Sequence, residues 1–239
     1  MTKPTEIKAV LFDLDGTLLP MDQSIFLKEY LKRLAGFVAP HGIAPNKMID
    51  ATLGGTESMI HNDGTKYNKE AFWESFFELI GECREDLVGI TDEFYYGGFK
   101  QIKDYVGVNP QARDAVNAAH RNGRKVVLAT NPVFPMSAQL ERINWIGLSA
   151  DDFDMITSYD NSRYCKPSPQ YYLEICEKIG VAPENCFMIG NDERDDMKAA
   201  SEAGMHCYLV TDCRIMSKNF VWTGERGSFE QMVHMLERI

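Results

Sequence analysis

Apolar positions along the chain follow two rhythms. Short unbroken runs, rich in β-branched residues, stand at residues 7–12, 125–129, 153–157, 186–189 and 207–210. Apolar runs of this length, without alternation, predict strands buried on both faces. Helical spacing separates the later ones. Residues 109–122 carry Ala112, Ala115, Val116 and Ala119 on one face and stop at Gly123, a helix-ending signal. Pro169–Ile179 is framed by Ser168 as cap, Pro169 at the first helical position and Gly180 at the end. Residues 228–238 predict a last helix. Strand alternating with helix predicts an α/β fold: a Rossmann-like parallel sheet with helices on both faces.

From about Pro20 to Val106 the rhythm changes. No run there reads as a strand, and the apolar residues keep helical spacing. Ile25, Leu27, Tyr30, Leu31 and Leu34 predict one buried stripe; Phe72, Trp73, Phe76, Phe77 and Ile80 predict another, read as packing between helices. Gly54-Gly55 and Gly97-Gly98 are expected to break helices. The chain thus divides into a core of residues 1–18 and 106–239 and an all-helical insert of residues 19–105. In open parallel sheets ligands bind beyond the carboxyl ends of the strands, at the reversal of strand order. An insert leaving the chain just after the first strand would cover that edge as a cap.

Charge narrows the partners. The 35 acids against 25 bases leave a net charge of −10, split evenly between insert and remainder. Such a chain is repelled by nucleic-acid backbones and anionic lipid, so neither is expected as a partner. The six cysteines show no paired spacing that would hold zinc, which fits reduced thiols in a cytoplasmic protein. The first residues, Met-Thr-Lys-Pro-Thr-Glu, lack the apolar stretch of a leader. No apolar run approaches the ~18 residues that span a bilayer.

Candidate chemistry begins where the first run ends, at Asp13-Leu14-Asp15-Gly16-Thr17-Leu18. Two carboxylates this close at a strand end need a cation or a proton between them. A calcium loop of the EF-hand kind fails on spacing, because Thr17 and Ser24 stand where acids belong. A simple capped turn is the other structural explanation.

The run V-L-F-D-L-D-G-T-L resembles the first signature of the haloacid dehalogenase-like superfamily, dominated by Mg²⁺-dependent phosphatases. The resemblance implies that Asp13 is the nucleophile forming an aspartyl-phosphate, with Asp15 protonating the leaving oxygen and then deprotonating water. Members acting on carbon–halogen bonds usually lack the second Asp, so Asp15 points to phosphoryl transfer. Three later segments resemble the remaining signatures, in order. Thr130 and Asn131 would bind phosphate at the second strand's end. Lys166, in Lys166-Pro167-Ser168-Pro169, would neutralise Asp13 and the phosphoryl group at a helix start. The acidic run Asn191-Asp192-Glu193-Arg194-Asp195-Asp196 would serve the metal; Asn191 stands where the family more often has Asp. Asp13, the Asp15 carbonyl and Asp192 are then expected as Mg²⁺ ligands. Asp196 is expected to orient Lys166 or a metal-bound water, with Asn191 kept as an alternative ligand.

Together these imply hydrolysis of a small-molecule phosphomonoester under a helical cap. A phosphomutase sharing the same aspartyl-phosphate, or a phospho-ligand-binding regulator without turnover, are the alternatives. A signalling receiver also gathers acids, a Thr and a Lys around an Asp, but on about half this length. Substrate choice is expected in the insert, first at a turn over residues 52–58. Nothing in the sequence indicates an oligomeric state.

Overall fold

A computed structural model describes residues 6–239; residues 1–5, which begin the core segment and hold most of the stretch read for a leader, lie outside the described residues. Among the described residues six strands form one sheet: β1 Ala9–Phe12, β2 Lys125–Leu128, β3 Met155–Ile156, β4 Cys186–Gly190, β5 His206–Val210 and β6 Arg226–Gly227. They lie in the order β3-β2-β1-β4-β5-β6, every neighbouring pair parallel. Phe12 stands in register with Leu128 on one side and Ile189 on the other, so the carboxyl ends of three strands meet at one edge. The chain leaves β1 toward β2 and returns to β4, which makes that edge the point where strand order reverses.

Side chains alternate across β1, and the two faces feed two cores. Val10 and Phe12 join Val126, Leu128, Ile189, the helix α5 (Ala112–His120) and the last helix, Phe229–Leu236. Ala9 and Leu11 join Val127, Met188 and α7 (Pro169–Ile179) on the other side. Burial on both faces explains why these strands carry no polar alternation. Around α7 the expected signals act as read: Ser168 Oγ accepts from Gln170 N at 3.3 Å and Gly180 closes the helix in a left-handed conformation.

Residues 23–105 form α1 (Gln23–Val38), α2 (Pro45–Ile60), α3 (Asn68–Ile80) and α4 (Asp86–Tyr96), with 3-10 turns and no strand of the sheet. Their two connections run side by side: Met21 bridges Val106, and Gly107 N donates to Pro20 O at 2.7 Å. Aromatic pairs tie the helices to the sheet portion, Tyr30 edge-on to Phe134 with centroids 5.0 Å apart and Phe99 stacked on Trp145 at 5.5 Å.

Three local expectations are corrected. Gly54-Gly55 does not break a helix; both residues, and the whole of 52–58, lie inside α2. Their missing side chains let α2 approach α3: a Cβ on Gly55 would stand 2.6 Å from the Phe72 ring, and one on Gly54 2.2 Å from Leu79 Cδ1. The α1 stripe is rotated. Ile25 and Leu27 are 48% and 44% exposed, while Phe26, Tyr30, Leu34 and Val38, four residues apart, face inward. The helix expected over 109–122 is shorter, because the Asn109 side chain accepts from Gln111 N in a turn and the helix begins at Ala112. The two-residue edge strand β6 carries no apolar run and was not anticipated.

Candidate active site

Immediately after β1 the chain folds back on itself: Gly16 N donates to Leu19 O at 2.7 Å and Leu19 N to Leu14 O at 2.8 Å. Gly16 takes φ +90°, and a Cβ there would stand 2.2 Å from Asn191 Nδ2, so only glycine fits both the turn and the approach of the β4 loop. This fold-back sets Asp13 and Asp15 at the mouth of a cleft of about 780 Å³, which Thr130, Asn131, Lys166, Asn191, Asp192, Asp195 and Asp196 also line. The structure therefore brings every sequence-derived candidate to one place.

Lys166 is the hub. Only 2% exposed, it donates from Nζ to Asp13 Oδ1 at 2.8 Å and to Asp196 Oδ1 at 2.6 Å. The other oxygen of Asp196 accepts from the backbone N–H groups of Asn191 and Asp192, each at 3.0 Å. Asp196 is thus fully engaged, clamping Lys166 to the turn that follows β4. Asp13 Oδ2 keeps only a long contact from the Thr17 hydroxyl, 3.3 Å. Burial pushes the Asp13 carboxyl up to about 7; the Lys166 ammonium opposes that rise, while Asp196 and Asp15 add to it. Burial also pulls on Lys166, but Asp13 and Asp196 more than offset it and hold the ammonium well above the usual lysine range.

Thr130 and Asn131 stand at the end of β2, with Thr130 buried. The Thr130 carbonyl accepts from the Thr157 hydroxyl at 2.7 Å and the Tyr171 hydroxyl at 2.8 Å, which fixes its backbone. Asn131 Oδ1 accepts from Lys166 N at 3.2 Å. The Lys166–Pro167 peptide is cis.

Asp192 Oδ1 accepts from Arg194 N and Asp195 N and caps the wide helical turn Glu193–Lys198. Its pKa and that of Asp195 are raised mainly by burial, Asp195 to about 6 with Asp192 beside it. Among the described residues, no three His, Cys, Asp or Glu groups stand close enough to hold a metal ion unaided. The donors nonetheless suit a hard cation that keeps water and phosphate among its ligands. Asp15 Oδ1 is buried without a hydrogen-bond partner, and Asp13 is held against like charges at a cost a divalent ion would relieve. The Asp15 carbonyl, at the same mouth, accepts from Gln23 Nε2 at 3.2 Å.

One partner escaped the sequence reading. Arg142, on helix α6 (Met136–Trp145), is entirely buried; it donates through Nη1 to Asp15 Oδ2 and through Nη2 to Gln139 Oε1, and lies over the Phe134 ring at 4.6 Å. The available signal was a charge on the inward face of a helix, in step with Ala138 and Trp145.

Residues 7–204 match the family model for haloacid dehalogenase-like hydrolases. The phosphoglycolate phosphatase of Nitrosospira multiformis is 28% identical over 212 residues, covering 87% of this chain and 84% of its own. Hexitol phosphatase B of Escherichia coli is 25% identical over 210 residues, 88% of this chain and 86% of its own. A solved HAD phosphatase from Thermococcus onnurineus shares the fold with a TM-score of 0.59 at 21% identity, covering 96% of this chain and 98% of that one.

Proposed function

The chain belongs to the haloacid dehalogenase-like hydrolase family, and on that premise we propose that this phosphatase hydrolyses a small phosphomonoester through an aspartyl-phosphate on Asp13. The observation that carries the proposal is the Asp13–Lys166–Asp196 clamp at the meeting of three parallel strand ends, with Asp15 two residues on. Asp13, whose Oδ2 carries only the long contact from Thr17, attacks phosphorus as the ester oxygen leaves with a proton from Asp15. Asp15 then takes a proton from the water that attacks the acyl phosphate, releasing phosphate and restoring Asp13. Arg142 holds Asp15 Oδ2, leaving the unpartnered Oδ1 to exchange the proton. Thr130 and Asn131 receive phosphate oxygens, and Lys166 balances the charge gathered on Asp13 and the phosphoryl group.

Asp13, the Asp15 carbonyl and Asp192 would hold Mg²⁺, with Asn191 the alternative; bound there, the ion supplies charge stabilisation to the phosphoryl group. Asp192 would do so through the oxygen not spent on capping. The helices of residues 19–105 act as a cap domain over the core of 1–18 and 106–239, excluding polymers and favouring small substrates. The acidity of the chain supports the absence of nucleic-acid or membrane partners, and its cysteine pattern supports a cytoplasmic setting. No helix among the described residues is long and apolar enough to cross a membrane.

Phosphate release from p-nitrophenyl phosphate tests the reading. Turnover is expected with Mg²⁺, lost on chelation and restored by added Mg²⁺, and absent in Asp13→Asn. Turnover by Asp13→Asn at the wild-type rate would remove Asp13 from the chemistry.

A further inference from the structure

Beside the acidic cleft lies a second space that the proposed chemistry does not use. Leu27, Val133 and Phe134 wall both. Beyond them all four helices α1 to α4 and the sheet-side residues line a narrow chamber. Its walls differ from those of the cleft in kind. Among the described residues none of the side chains lining it is charged. The threonines there are already engaged: Thr52 and Thr56 donate to carbonyls of their own helix at 2.8 Å, Thr91 at 2.9 Å, and the Tyr30 and Tyr95 hydroxyls bond each other at 2.7 Å. One donor stands open. Trp73, 9% exposed, has its indole N–H buried with no acceptor, the Tyr159 hydroxyl nearby lying outside hydrogen-bond geometry.

A polyol would lose its water in this chamber and regain few hydrogen bonds, and a carboxylate would find no cation; both are costly to bury unpaired. Apolar surface is favoured there, and a single acceptor would satisfy Trp73. We propose that the leaving group of the substrate is an apolar alcohol, aromatic or branched aliphatic, carrying one hydrogen-bond acceptor, seated in this chamber while its phosphate lies against Asp13. The inference rests on the phosphatase reading above and adds the substrate class to it.

A panel of phosphate esters tests it: 3-phenylpropyl and 4-methoxybenzyl phosphates against ethyl phosphate, 2-phosphoglycolate and a hexitol phosphate, all with Mg²⁺. The apolar esters should exceed ethyl phosphate by roughly 10–100-fold in kcat/KM, mostly through KM, since an apolar pocket discriminates by burying methylenes of the bound ester. Thr56→Phe, which intrudes on the chamber from α2, should shrink the ratio of 3-phenylpropyl to ethyl phosphate at least ~10-fold. Binding gives a readout free of catalysis: 4-methoxybenzyl alcohol alone should quench tryptophan fluorescence in the wild type and not in Trp73→Phe. Preference for the hexitol phosphate or 2-phosphoglycolate, with no quenching by the alcohol, would overturn the substrate class and leave the phosphatase reading intact. Quenching by the alcohol without turnover of any ester would instead strike the phosphatase reading and keep the chamber.

Discussion

The carboxyl edge of the sheet and the helical insert are built on opposite principles. At the edge, charged groups are buried and held: Lys166 is shared by two acids, Asp196 is engaged at both oxygens, and Arg142 is sealed behind Asp15. Each position there is dictated by a partner of stated chemistry. In the insert the contacts are apolar and geometric, with Phe72, Trp73 and Phe76 centroids 5.0–5.5 Å apart and two glycines admitting a neighbouring helix. The edge therefore tolerates almost no change of residue type. The insert tolerates changes of type but few of volume.

The largest effect expected from breaking the edge is at Lys166. Lys166→Met leaves Asp13 and Asp196 facing each other in a buried site, and phosphate release should fall at least ~10³-fold. Removing one partner of a buried pair costs about 3–5 kcal/mol, which denaturant unfolding would read as a lower midpoint at an unchanged slope. A variant retaining full activity would detach Lys166 from the reaction. Arg142→Met comes next. With Asp15 no longer held, kcat should drop about 10–100-fold with KM within about threefold, and stability by about 2 kcal/mol. An equal rise in KM with kcat untouched would reassign Arg142 to substrate binding.

The insert gives the sharper contrast at neighbouring glycines. Gly55→Ala drives a Cβ against the Phe72 ring and to within 3.1 Å of its backbone oxygen, so a loss of about 1–3 kcal/mol is expected. Gly54→Ala meets only the tip of Leu79, a side chain 47% exposed that can swing away. Thermal unfolding of that variant should match or exceed wild type, because alanine is the better helix former by roughly 0.5–1 kcal/mol. Equal losses from the two would show that helix approach is not what selects these glycines.

The smallest effect is a pH trend. Asp13 has a folded pKa raised to about 7 from 3.8, so the fold prefers its protonated form. Its contribution is fully present below about 4 and is lost as pH rises through about 7. Asp195, raised to about 6, acts in the same direction. In chelator, Tm of Asp13→Asn minus that of wild type should therefore grow from pH 4.5 to pH 8, and Mg²⁺ should narrow the gap. A flat difference would mean that Asp13 carries no charge-burial cost.

The two regions also differed in how much of them could be read in advance. Residues around the strand ends announce themselves, because Asp13, Thr130 and Lys166 each follow an apolar run or precede a capped helix start. Local signals decide there, and Ser168, Pro169 and Gly180 framed α7 to the residue. In the insert the deciding forces are nonlocal. Gly54-Gly55 looks like a break until α3 is seen to need the space, and the α1 stripe could be placed only once Phe134 and Phe99 were known to lie against Phe26 and Tyr30. Arg142 was hidden for a related reason: its step with Ala138 and Trp145 marks an inward face, but its partner Asp15 lies 127 residues away in sequence, and nothing local names that contact.

Acid-quenched single turnover, followed by peptide mapping of the protein-bound phosphate, addresses the central claim most directly. The account predicts a hydroxylamine-labile phosphoryl group on the peptide containing Asp13, forming and decaying within one catalytic cycle and missing from Asp13→Asn. Wild-type turnover with no phosphoryl group on the Asp13 peptide at any quench time would contradict it.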